Sequence, residues 1–217
     1  MSLSLDRVSF AYPDSPPLLE DASLTFEPGS FTLVRGPSGA GKSTLLRLLC
    51  RLEEAQSGHI IFNDQPIEDI APADLRRSVA YVQQMPTLLP TSIRDNLLLP
   101  FTFKANEGLE QPSNETLAGY LDSFLMSGIT LHTEADTLSV GQAQRVCLIR
   151  SLLLHPRVLL MDEPTASLDA KSAQVVLDKA AELSVSGMTV VMISHSEETP
   201  EGVTDTVSIK DLKLERA

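Results

Sequence analysis

The sequence predicts an α/β fold with a mostly parallel sheet, an antiparallel β region at its start and a helical insertion between about residues 85 and 155. Three observations carry that expectation. The runs Val158–Met161 (VLLM) and Val190–Ile193 (VVMI) are continuously apolar, as parallel strands covered on both faces are. Strand and helix patterns alternate through the last quarter. The first thirty-five residues instead repeat with period two, the mark of strands with one covered face.

Taken in order, Leu3, Leu5, Val8 and Phe10 are mostly spaced by two, and Ala22, Leu24 and Phe26 repeat the alternation. Pro28-Gly29 makes a turn before Ser30–Arg35, so antiparallel pairing is expected throughout this region. From Lys42 to Leu52 the period becomes helical, with Leu45, Leu46, Leu48, Leu49 and Leu52 on one broad face. Strands at His59–Phe62 and Val79–Val82 flank a small helix near Ala73–Ser78. Pro86, Pro90 and Pro100 punctuate the next segment, which offers helices near Thr91–Leu98 and Asn114–Met126 around a polar loop at Lys104–Pro112. A helix over Gly141–Leu154 stops at His155-Pro156, because the residue before proline disfavours helix. Strand 158–161, helix 170–183 and strands 189–193 and 206–209 complete the chain, with no internal repeat.

A length of 217 residues suits a single domain, or one core with an inserted subdomain, and 42% apolar residues suffice for its core. Seventeen Lys and Arg against twenty-nine Asp and Glu leave a net charge of −12, which argues against a nucleic-acid groove. A small anion in a local pocket remains compatible with that charge. No apolar run approaches the roughly 18–20 residues of a membrane span. The first basic residue is Arg7 and no apolar stretch follows it, so no secretory signal is expected. Cys50 and Cys147 have neither metal nor redox spacing and read as buried, reduced thiols of a cytoplasmic protein.

Gly36-Pro37-Ser38-Gly39-Ala40-Gly41-Lys42-Ser43 satisfies G-x-x-x-x-G-K-[ST], with Thr44 following, between the apolar strand Phe31–Val34 and the Leu-rich helix. Glycines there let backbone N–H groups curl round an anion, and the positive end of the helix dipole faces it. Lys42 adds a point charge for the β- and γ-phosphates, and the Ser43 hydroxyl can ligate Mg²⁺. A plain glycine turn is the alternative, but a chance match in a chain this long is of order ~1 in 100. The loop is read as a nucleotide site.

Asp162 and Glu163 close the apolar strand VLLMDE, where Asp162 is placed to hold Mg²⁺ water ligands and Glu163 to polarise an attacking water. The competing reading is an acidic helix start at Pro164. Ser139 is an expected N-cap for the helix carrying Gln142, Gln144 and Arg145, and Gly141 would let a phosphate approach the first amides. One rigid chain does not bring two such helix starts to the same phosphates, so a second subunit is the natural supplier.

The order of these motifs resembles that of the ATP-binding cassette (ABC) ATPases over nearly the whole chain. GPSGAGKST at 36–44 resembles the Walker A loop, Gln84 in YVQQ the Q-loop glutamine, and LSVGQ at 138–142 the LSGGQ signature, with Val140 in place of its first glycine. LLMDEP at 159–164 is similar to Walker B, SLD at 167–169 to the D-loop and His195 to the switch histidine, while Tyr12 looks like the aromatic that stacks on adenine. The resemblance implies a P-loop NTPase core over 1–84 and 156–217 carrying an antiparallel β subdomain, with a helical subdomain over 85–155, all within one ABC ATPase domain spanning 1–217.

It also implies a homodimer closing head-to-tail on ATP and Mg²⁺, with Glu163, His195 and Gln84 catalytic, and Ser43, Gln84 and Asp162 at the metal. A separate transmembrane permease subunit is the implied partner, docking near MPTLLPTSIRDNLLLPF, with the chain peripheral on the inner face of the cell membrane and no nucleic acid bound. The PTLLPTSIRDNLLLPF stretch is similar to small ATPase subunits of bacterial iron or metal exporters. Regulation of a non-transport membrane complex is the alternative function.

Overall fold

In the computed structural model residues 2–196 and 198–216 are described. The chain forms β1 (Leu3–Ala11), β2 (Pro17–Phe26), β3 (Phe31–Arg35), α1 (Lys42–Leu49), β4 (Ser57–Phe62), β5 (Gln65–Pro66), α2 (Pro72–Ser78) and β6 (Val79–Val82). It continues through α3 (Ile93–Leu98), α4 (Asn114–Ser123), α5 (Val140–Leu152), β7 (Val158–Asp162), α6 (Ala170–Val185), β8 (Thr189–Ile193), β9 (Asp205–Lys210) and β10 (Lys213–Arg216). A four-stranded antiparallel sheet has the order β2-β1-β4-β5, and a six-stranded sheet the order β10-β9-β3-β8-β7-β6. In the larger sheet only β10 runs antiparallel to its neighbour.

The expectation of antiparallel pairing is met by β1 and β2 but corrected at β3. That strand crosses into the larger sheet and runs parallel between β8 and β9, with Leu33 opposite both Met192 and Thr206. The reason is two-faced burial: Phe31, Thr32, Leu33 and Val34 are all 0% exposed, which suits a central strand and not a half-solvated hairpin. A second correction concerns Leu52. Helix α1 ends at Leu49, Arg51 takes a positive φ of 54°, and Leu52 turns outward. Likewise α4 ends at Ser123, with Leu125 exposed beyond it at a φ of 52°. Strand β10 was not expected, since KLER lacks an apolar period; the positive φ values of Asp211 and Leu212 turn the chain back along β9.

The larger sheet separates two cores. Along β7, Val158 and Leu160 join Leu45, Leu46, Leu48 and Leu49 of α1 and the inner face of the antiparallel sheet. Leu159 and Met161 face the opposite way, toward Val146 and Ile149 of α5, Val176 of α6 and Leu97 of α3. Each fully buried aliphatic side chain here is worth roughly 1.5–3 kcal/mol. The continuous apolar strands are therefore required by burial on both faces, and the sheet is a rigid platform whose carboxyl edge carries the candidate site.

Candidate functional site

The loop from β3 to α1 ends at Gly41, whose φ of 90° places it in the left-handed region and whose added Cβ would crowd Leu18 Cβ at 3.1 Å. No side chain caps α1, whereas Ser92, Ser113, Ser139 and Asp169 cap α3, α4, α5 and α6. The leading amides of α1 are thus left for an outside acceptor, at the positive end of the helix dipole. Lys42, only 5% exposed, folds its Nζ onto the carbonyls of Gly36 (2.8 Å) and Pro37 (2.9 Å). Ala40 N–H donates to the same Pro37 carbonyl, tightening the loop.

One residue into α1, Ser43 Oγ donates to Asp162 Oδ1 at 2.9 Å. A hydroxyl and a buried carboxylate beside an open anion loop form the hard-oxygen set that suits Mg²⁺ with water ligands. Glu163 follows at a φ of 46°, a backbone state uncommon outside glycine, and this turns its carboxylate into the same cleft. Gln84 Nε2 donates to Glu163 Oε2 at 3.0 Å, and His195 Nε2 meets Oε1 at 2.7 Å. Helix capping does not explain this acid, because the next helix begins only at Ala170.

A cleft of about 220 Å³ is lined by Leu18, Ser38, Gly39, Gly41, Lys42, Ser43, Thr44, Glu163 and His195. Gly36 and Pro37 hold Lys42, while Asp162 and Gln84 bond to lining residues. Tyr12 lies outside this lining. Its ring meets Phe10 edge-on at 4.9 Å, while its hydroxyl donates to Glu53 (3.2 Å) and lies 3.4 Å from Thr44 Oγ1.

Ser139, Gly141 and Gln142 are likewise not part of the cleft. Ser139 and Gln142 close a capping box at the start of α5. Gly141 is buried, and a Cβ there would stand 2.7 Å from Ser172 Oγ, so packing of α5 on α6 already demands glycine at this position. Asp169, which caps α6, has its carboxyl pKa lowered by the Ser172 amide, and its charge partly offsets the lowering that burial imposes on Arg145 of α5. Val140 stands exposed on the outer face of the α5 start.

One residue that sequence reasoning leaves unassigned bonds directly to the site, and a second lies beside it. Tyr81, on β6, donates its hydroxyl to Asp162 Oδ2 at 2.9 Å. Burial, and then the charge of Asp162, raise the phenol's pKa, so it stays a donor. Arg47 lies beside Tyr81 and Tyr12, and the two phenol oxygens raise its pKa further. The available signal was a hydroxyl in the otherwise apolar strand VAYV, three residues before Gln84.

A sequence profile of the family described as ABC transporter matches residues 19–166. "ABC-type transporter kk1G" of Curvularia clavata is 35% identical over 199 residues, covering 90% of this chain and 15% of that protein. "Multidrug resistance ABC transporter ATP-binding and permease protein" of Lactococcus lactis is 36% identical over 205 residues, covering 89% of this chain and 33% of its own length. The chain therefore spans a third or less of these two curated relatives. Among solved structures, the ATP-binding cassette MJ0796, in a dimeric post-hydrolysis state bound to ADP and Pi, superposes with a TM-score of 0.85 at 25% identity. That match covers 99% of this chain and 97% of the other.

Proposed function

The chain belongs to the ABC transporter family and is an ABC ATPase cassette, and on that premise we propose that two copies close head-to-tail around ATP and Mg²⁺ to drive a membrane permease. The observation that carries this reading is the split site. Lys42, Ser43, Asp162, Glu163, Gln84 and His195 converge at one sheet edge, while the capped start of α5 with Ser139 lies outside the cleft. A second copy would bring its own Ser139 and Gly141 to the γ-phosphate. The dimeric state of the superposable cassette supports that arrangement.

Within each site Gly39, Gly41 and Lys42 would bind the phosphates of ATP, and Ser43 and Asp162 would hold Mg²⁺. Bound there, Mg²⁺ would neutralise charge on the β- and γ-phosphates. Glu163 would accept the proton of the attacking water, with Gln84 and His195 orienting its carboxylate and the γ-phosphate. Catalysis would then come from positioning and from charges already in place. Tyr12 would meet the adenine at the Thr44 end of the loop. Because a complete site needs two copies, the ATPase rate of the isolated chain should rise with the square of its concentration below the dimer dissociation constant. A rate strictly proportional to concentration would sink the dimer reading.

Among the described residues no helix is long and apolar enough to cross a membrane, so the permease span would lie outside them. A groove of about 520 Å³ between the core and the helical insertion supports a docking role. Its walls include Leu52, Pro100, Phe103 and Leu154, with Leu52 and Phe103 strongly exposed. Arg76 and Arg150 at the same groove are bonded to the backbone carbonyls of Cys50, Arg51 and Thr87. Their charge, in so acidic a chain, favours an amphipathic helix with acidic ends. A Phe103→Cys variant with a short thiol cross-linker in native membranes should trap a multi-span membrane protein, identified by mass spectrometry; products confined to soluble proteins would refute the docking site. The similarity of PTLLPTSIRDNLLLPF to exporter subunits leads us to propose metal, iron included, as the cargo class of the assembled transporter.

A further inference from the structure

We propose that Tyr81 is a positioning residue for Asp162, holding its carboxylate in the orientation that receives a hydrated divalent cation beside Ser43. The inference rests on the reading of Asp162 as the residue that holds Mg²⁺ water ligands. A carboxylate turns easily about its last side-chain bond, where the torsional wells are broad and two-fold. One hydrogen bond restrains that rotation weakly, whereas donors to both oxygens fix the plane. Asp162 has both: Ser43 Oγ on Oδ1 and Tyr81 Oη on Oδ2, each at 2.9 Å.

These donors come from different elements. Ser43 rides on α1, one residue after the phosphate-binding lysine, and must serve the cation as well as the carboxylate. Tyr81 has no such second duty. It sits on β6, which pairs in parallel with β7, Tyr81 opposite Leu160 and Val82 opposite Met161, so the sheet ladder itself sets the phenol beside Asp162. Asp162 is 5% exposed, and a charge-assisted bond in such surroundings is both strong and directional. A partner that orients a metal-binding carboxylate typically changes metal affinity by 10–100-fold when removed.

The test is Mn²⁺ binding to the full chain with AMP-PNP, followed by electron paramagnetic resonance of free Mn²⁺, so that turnover plays no part. Tyr81→Phe keeps the ring and removes only the hydroxyl. It should weaken Mn²⁺ binding about tenfold while leaving AMP-PNP affinity in EDTA unchanged. In an Asp162→Asn background the same substitution should add no further loss, a result that mere packing would not produce. Unchanged Mn²⁺ affinity in Tyr81→Phe alongside a large loss in Asp162→Asn overturns the role of Tyr81 and leaves the Asp162 reading intact. A full extra loss in the double variant also overturns it, because the hydroxyl would then act elsewhere. Unchanged affinity in Asp162→Asn refutes the metal reading itself, and the proposal with it.

Discussion

Glu163→Gln is expected to stop ATP turnover, lowering kcat by about 10²–10⁴-fold, the range for losing a general base, while ATP still binds. The glutamine has nearly the same shape and keeps an oxygen for either Gln84 or His195, which now bond to the two carboxylate oxygens at 3.0 and 2.7 Å. What it lacks is an acceptor basic enough for a proton from water. The phosphates should therefore remain bound, the two copies should stay closed on them, and a stable dimer should accumulate. Phosphate release and size-exclusion chromatography with ATP check both parts. Turnover at the parental rate would remove Glu163 from the chemistry.

Lys42→Ala should cost most of the nucleotide affinity, on the order of 10- to 100-fold, as expected from hydrogen bonds to a charged group worth about 1.5–3 kcal/mol. Lys42 is 5% exposed, and its ammonium rests on the neutral carbonyls of Gly36 and Pro37. A buried charge with only neutral partners is poorly compensated, and a phosphate at the amides of α1 would give it an anionic partner. Gly36 and Pro37 are not buried, so water can replace the lost bonds and the fold should melt at nearly the parental temperature. Titration with a fluorescent ATP analogue provides the check. Affinity equal to the parent's would refute the assignment of Lys42 to the phosphates.

Much of the larger sheet was legible because burial on both faces leaves a continuous apolar run, as at 158–161 and 190–193. The sheet that β3 joins is not legible in sequence, because a turn such as Pro28-Gly29 marks a change of direction without saying which sheet the chain enters next. The end of α1 before Leu52 is equally hidden, because apolar periodicity carries on through a helix end that backbone dihedrals, here the positive φ of Arg51, bring about earlier. At Gly141 the fold adds a requirement that no local window shows: a Cβ there would stand 2.7 Å from Ser172 Oγ, so packing asks for glycine whatever ligand approaches.

By itself the sequence determined the G-x-x-x-x-G-K-S loop at 36–43, since its glycine, lysine and hydroxyl requirements are local and fall within eight consecutive residues. It likewise determined that an acid pair ends a buried strand. Only the tertiary structure decided that Gln84, Glu163 and His195 touch, because they follow β6, β7 and β8, three parallel neighbours whose carboxyl ends lie roughly 5 Å apart. The same ordering put the Tyr81 hydroxyl on Asp162, 81 positions away. Strand order arises from which buried faces pack together across the whole chain, and no short window of residues contains that information.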